Sequence, residues 1–124
     1  MATEFTVLME DKPGTAADAL ALLGSAGVNI DAILAHGGTT IAIVPDDPER
    51  ARQALDRAGR RYSTREVLVL NVEDKPGALA RLTRAMGDAQ VDLDAIYVDH
   101  KGHVVLAAHD LNAARQVSLR LGVA

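Results

Sequence analysis

Apolar residues fall along this chain in two rhythms, dense short runs and spaced stripes, and the two alternate. Phe5–Met9 ("FTVLM") is a run rich in β-branched and apolar residues, which predicts a strand. Ala16, Ala19, Leu20, Leu23 and Ala26 then recur at helical spacing, opened by Pro13-Gly14 and stopped by Gly27. Asn29–Ala35 predicts a second strand, His36-Gly37-Gly38-Thr39 a hairpin turn and Thr40–Val44 a third strand. Asp47 is placed to cap a second helix with Pro48 in its first position, burying Ala51, Ala54, Leu55 and Ala58 and ending at Gly59. Tyr62–Arg65 offers a fourth strand before the next apolar run, Val67–Val72, and that run leads into a stripe of Leu79, Leu82, Met86 and Ala89.

The second half repeats the first. "EDKPG" occurs at Glu10–Gly14 and at Glu73–Gly77, and a shift of 63 positions aligns the halves without a gap. From Glu10 to Gly59, 18 of 50 positions are identical to the residue 63 further on, among them "DAI" at Asp31–Ile33 and Asp94–Ile96. The expected division is therefore residues 1–65 and 66–124. Each half reads βαββα with room for a final strand in the first copy only. This is the α+β, ferredoxin-like βαββαβ plan, with helices on one face of an antiparallel sheet. A unit of sixty residues makes a marginal core by itself. The strands also look apolar on both faces, with Ile30, Ala32 and Leu34 on one and Ile33 and Ala35 on the other. The face away from the helices and the sheet edges should meet another unit. The short tail Gly122–Ala124 leaves the edge at Val67–Val72 without a partner strand, and a homodimer is expected to cover it.

Composition narrows the function. Of 124 residues 48% are hydrophobic, the formal net charge is −4, and no basic block appears, which argues against nucleic acid or an anionic membrane as partner. Phe5, Tyr62 and Tyr97 are the only aromatics, too few for a base-stacking platform. There is no cysteine, so thiol chemistry and disulfides are excluded and a reducing cytoplasm fits. The amino terminus lacks the basic start of a signal peptide, and no apolar run approaches a membrane span.

The repeated junction carries the chemistry. A helix amino terminus presents free N–H groups and partial positive charge, which favours an anion. Glycine lets a ligand approach the backbone, and Asp11 or Glu10 nearby suits a cation. Together they suit a small zwitterion such as a free amino acid. The plain alternative is a turn with Asp11 capping the helix. "EDKPGALARLTRAMGDAQVDLDAI" and "MEDKPGTAADALALLGSAGVNIDAI" resemble the ACT-domain signature, so the chain resembles stand-alone bacterial proteins built of two ACT domains. The resemblance implies a regulatory protein that binds an amino acid between paired ACT domains. The loop of one domain and the start of the second strand of the other would hold the ligand. Carried onto this chain, the loop positions are Asp11, Lys12, Pro13, Gly14 and Thr15, and Asp74, Lys75, Pro76, Gly77 and Ala78. The second-strand positions are Asn29 and Asp31, and Asp92 and Asp94. Loop 1 is expected to face Asp92 and Asp94, and loop 2 to face Asn29 and Asp31. The implied partner is an enzyme or regulator of amino-acid metabolism. An ACT module that binds no ligand and regulates its partner by protein contact is the alternative.

The pattern departs from the family where Ala16 replaces the larger apolar residue that copy 2 keeps as Leu79, and where Asp92 stands for the commoner Asn29. Two unequal sites are the expectation. His36, His100, His103 and His109 fall at turns and before a cap, a poor scaffold for a metal, and no cofactor is implied. No nucleophile stands beside a base in a recognisable motif, and the first loop lacks the arginine of a phosphate cradle, so enzymatic activity is not expected.

Overall fold

The computed structural model describes residues 1–124, with six strands and four helices. The architecture is mixed α and β with antiparallel strands, the ferredoxin-like arrangement. Two compact units are distinguished, Thr3–Arg65 and a second formed by Glu66–Ala124 with Met1–Ala2.

The N-terminal unit runs β1 (Ala2–Leu8), α1 (Thr15–Ser25), β2 (Ile30–Ala35), β3 (Thr40–Pro45), α2 (Pro48–Arg57) and the first residues of β4 (Tyr62–Leu70). β1 pairs with β3 in the register Phe5 to Ile43, and β3 pairs with β2 in the register Ile43 to Ile33. Leu8 N–H donates to Arg61 O (3.0 Å), which brings the approach to β4 beside β1. Phe5, Val7, Ile41 and Ile43 turn one face of these strands toward Ala19 and Leu23 of α1 and Ala51 and Leu55 of α2, all fully buried. Asp47 caps α2 through its side chain, accepting from Arg50 N–H (3.0 Å), with Pro48 at the first position, as the sequence predicts. Tyr62 opens β4 by donating its hydroxyl to Asp56 Oδ1 (2.7 Å) while its ring packs 5.5 Å from Phe5.

The C-terminal unit contains the end of β4, α3 (Ala78–Asp88), β5 (Leu93–Val98), β6 (Val104–Ala108) and α4 (Leu111–Leu121). β6 pairs with β4 (Leu68 to Leu106) and with β5 (Ile96 to Leu106). Its helix-side core is Leu68, Leu70, Leu82, Met86, Val104, Leu106, Ala114 and Val117. The fourth strand is absent, as expected: after α4 only Val123 O meets the sheet, accepting from Asn71 N–H (2.8 Å).

Several expectations change. β1 begins at Ala2 rather than Phe5, because ladder pairing does not need an apolar start. Leu79, Ala89 and Ala58 are exposed and do not join their stripes: each lies in the first turn or just past the end of its helix, beyond the packed face. Leu79 is 47% exposed. Ile30 and Ala32 do not share a face. The β2–β3 register shifts between them, so Ile30 joins the helix-side core while Ala32 lies opposite Val44 on the other face. The same irregularity separates Leu93 from Ala95 in β5. The face away from the helices is buried in part in both units, at Ala32 and Val44 and at Val67, Tyr97, Val105 and Ala107. It also carries Glu4, fully buried, whose Oε1 accepts from Arg65 Nε at 2.6 Å.

Candidate functional site

Both Pro-Gly loops adopt one backbone. Gly14 (φ 90°, ψ −10°) and Gly77 (φ 87°, ψ −12°) are the N-cap residues of α1 and α3, left-handed, with no side chain capping either helix. Asp11 therefore does not cap α1; the left-handed glycine turns the chain so that Asp11 points elsewhere. A Cβ added at either glycine meets nothing within 4 Å, so the space over each helix terminus is open. The left-handed φ, rather than a close neighbour, is what demands glycine here.

The loops differ in how they are tied. In loop 1, Lys12 N–H donates to Glu10 O (3.0 Å), and Thr15 Oγ1 bonds Glu10 O (2.7 Å) and Lys12 O (3.0 Å). Met9 N–H donates to Thr39 O (2.8 Å), and Asp11 lies over Gly38, where an added Cβ would come within 2.5 Å of Oδ1. The glycine pair Gly37-Gly38, both at positive φ, thus lets the hairpin approach the loop. Loop 2 keeps the Lys75 N–H to Glu73 O bond (3.1 Å), but Ala78 has no hydroxyl to replace Thr15. Lys12 and Lys75 are exposed and pair with Glu10 (2.9 Å) and Glu73 (2.7 Å), at the rim.

Loop 2 borders a cleft of about 420 Å³ between the start of α3 and the end of α4. Lys75, Pro76, Gly77 and Ala78 line it; Asp74, Asp92 and Asp94 do not. Arg81, in the first turn of α3, also lines it and is not among the residues that the resemblance implies. The sequence carries a signal for it: Arg81 stands where copy 1 has Asp18, a reversal of charge between equivalent helix positions.

The second-strand residues cluster separately. Asn29 donates its side-chain amide to Asp31 Oδ1 (2.9 Å) and its backbone N–H to Asp46 Oδ1 (2.9 Å). Asp31 and Asp94 occupy the irregular position of β2 and β5. Asp92 has no amide to offer Asp94, and only its carbonyl is held, by His109 N–H (3.1 Å). α1 and α3 each have eleven residues. At 1.5 Å per residue each spans roughly 16 Å, which sets the loop and the strand start of one unit at opposite ends of a helix. One unit alone does not bring its two sets of expected site residues together.

No group of three His, Asp or Glu side chains is arranged to hold a metal ion. His103 instead bonds Asp99 Oδ2 through Nδ1 (2.9 Å), and Asp99 Oδ1 accepts from the N–H groups of Lys101 (2.9 Å) and His103 (2.7 Å). Burial alone would raise the Asp99 carboxyl; the His103 backbone and ring bonds and the Lys101 N–H outweigh it and hold the carboxyl below its ordinary value. No helix is long and apolar enough to cross a membrane.

No curated protein matches this chain. In solved structures the chain is similar to protein BT0572 from Bacteroides thetaiotaomicron, at 20% identity and a TM-score of 0.85, over 98% of this chain and 89% of that one. It is also similar to the regulatory subunit of aspartate kinase from Thermus thermophilus in its ligand-free form (18% identity, TM-score 0.67, 96% and 90% covered). The regulatory subunit from Thermus flavus gives 17% identity and a TM-score of 0.65, with 95% and 90% covered. At these identities the likeness is one of fold. The family model of the ACT domain matches residues 3–60, the first copy, despite Ala16, and ends short of the second.

Proposed function

We propose that this chain is a regulatory protein that binds a free amino acid at its Pro-Gly loops and passes the bound state to a partner enzyme of amino-acid metabolism. The observation that carries this reading is the open, uncapped helix terminus behind a left-handed glycine, built twice. The ACT match at residues 3–60 and the regulatory subunits among the similar structures support it. Helix N–H groups near Gly14 or Gly77 take the carboxylate. Asn29 and Asp31, or Asp92 and Asp94, close the site from a paired unit, since loop and strand start of one unit stand a helix length apart. Asp11 and Asp74 act at the ammonium end. A charge-assisted hydrogen bond of this kind is worth about 1.5–3 kcal/mol.

Thermal unfolding in the presence of each of the twenty amino acids tests this reading. A ligand at about 100 times its dissociation constant stabilises by about 2.7 kcal/mol, a rise of several degrees. If none of the twenty shifts the midpoint, the chain is not an amino-acid sensor.

A further inference from the structure

Besides Thr15 against Ala78 and Ala16 against Leu79, the two copies differ behind their loops by one reversal of charge. Asp18 occupies the first turn of α1, with its N–H bonded to Gly14 O (3.0 Å); Arg81 occupies the same place in α3, its N–H bonded to Gly77 O (2.9 Å). A carboxylate near a helix amino terminus complements the partial positive charge there, and a cation opposes it. α1 therefore carries its own anion, whereas α3 has no acidic residue in its first turn and no capping side chain. Arg81 is an unfavourable residue for α3 taken alone. An anion delivered from outside would satisfy both the guanidinium and the helix terminus.

The cleft beside it has the dimensions and lining for such an anion. Its volume, about 420 Å³, lies within the range of small-molecule sites. The other cation on the wall, Lys75, is paired with Glu73 at 2.7 Å, while the Arg81 guanidinium makes no hydrogen bond or ion pair. Val72, Leu82, Leu121 and Val123 give the wall an apolar flank, and Asn71 adds one neutral polar residue. An unpaired guanidinium at one end and an apolar flank suit a carboxylate that carries an apolar side chain, which on the amino-acid reading is an apolar α-amino acid.

We propose that the C-terminal cleft is the competent site of this chain. Arg81 takes the ligand carboxylate there, the ligand is an apolar amino acid, and the N-terminal loop, with Asp18 in the matching place, repels the same group. This rests on the amino-acid-binding reading above. Calorimetry with leucine, lysine, aspartate and 3-methylbutylamine, which is leucine without its carboxylate, tests it on the full chain. The expected result is one leucine per chain, at least tenfold weaker binding of the other three, and at least a tenfold loss in Arg81→Gln. Arg81→Lys should recover part of that loss, and Asp18→Asn should leave the leucine affinity within twofold. Arg81 is exposed, so circular dichroism of Arg81→Gln should match the parent. Two equal sites per chain, an Arg81→Gln affinity within twofold of the parent, or a charged amino acid preferred over leucine would overturn the inference and leave amino-acid binding standing. Absence of binding by any amino acid would remove both.

Discussion

Gln90 holds the left-handed conformation (φ 60°) that Gly27 (φ 78°) supplies in the first copy, and it is the one residue other than glycine to do so. A side chain in that region costs about 1–2 kcal/mol, so Gln90→Gly should stabilise the protein by about 1 kcal/mol. In a chain of this size that is a rise of roughly 3–6 °C in Tm, readable by calorimetry; no rise would mean that the Gln90 side chain makes a compensating contact. The converse holds at Gly77, where Gly77→Ala meets open space but a positive φ and should cost about 1 kcal/mol. Asp99 supplies a pH dependence. Its folded value lies below the ordinary 3.8, so its stabilisation is complete above that value and is lost as pH falls below it toward the folded value. Asp99→Asn should flatten the acid limb of the stability profile below the ordinary carboxylate value of 3.8 while lowering stability at pH 7. Glycines were legible in sequence because turns demand them. Gln90 was not, since glutamine gives no sign of a left-handed backbone. Nor was the Asp99 hairpin clasp, because a carboxylate in a turn reads the same whether it faces water or His103.

At the scale of elements, the order of strands and helices along the chain and most of each helix face followed from apolar spacing, and the cap of α2 from Asp47. Spacing failed where the ladder is irregular. Strict alternation put Ile30 beside Ala32, but the shift at Asp31 sends Ile30 to the helix side, and a bulge leaves no mark in a hydrophobic pattern. The lining of the cleft beside loop 2 was legible only in part. "EDKPG" announced the loops, but which side chains enter the cleft depends on the turn, which brings in Lys75 and Arg81 and leaves Asp74 out. The buried Glu4 was hidden as well, because its partner Arg65 is 61 positions away. Arg65 is partly exposed and Glu4 is not, so Arg65→Met should cost about 1–3 kcal/mol, and more than the same change at the surface Arg57. Urea unfolding of the two variants decides; equal midpoints would mean that Glu4 is held by its other contacts.

For the molecule as a whole, the repeat makes a specific demand on association. β2 and β5 are equivalent strands, each at the edge of its own unit's sheet and paired there on one side, β2 with β3 and β5 with β6. The exposed large apolar side chains concentrate on them: Ile33 and Leu34 on β2, Ile96 and Val98 on β5, the last 55% exposed. An edge strand with open backbone groups and bare apolar side chains invites another strand, and soluble proteins blunt such edges with charge or cover them. Neither strand is blunted. β2 has no charge after Asp31, and β5 has none between Asp94 and Asp99. A second copy of this chain offers the same two edges, and in a two-fold pair each contact is made reciprocally. The expected state is a homodimer covering β2 and β5, with twice the chain's mass by light scattering at tens of micromolar. Val98→Lys places a charge on the most exposed apolar position of these two strands. It should shift the protein toward monomer, with the Tm becoming independent of concentration and the circular dichroism unchanged. A parent protein that is already monomeric at these concentrations would refute the dimer. A dimer that survives Val98→Lys combined with Ile33→Lys would place the interface on another surface.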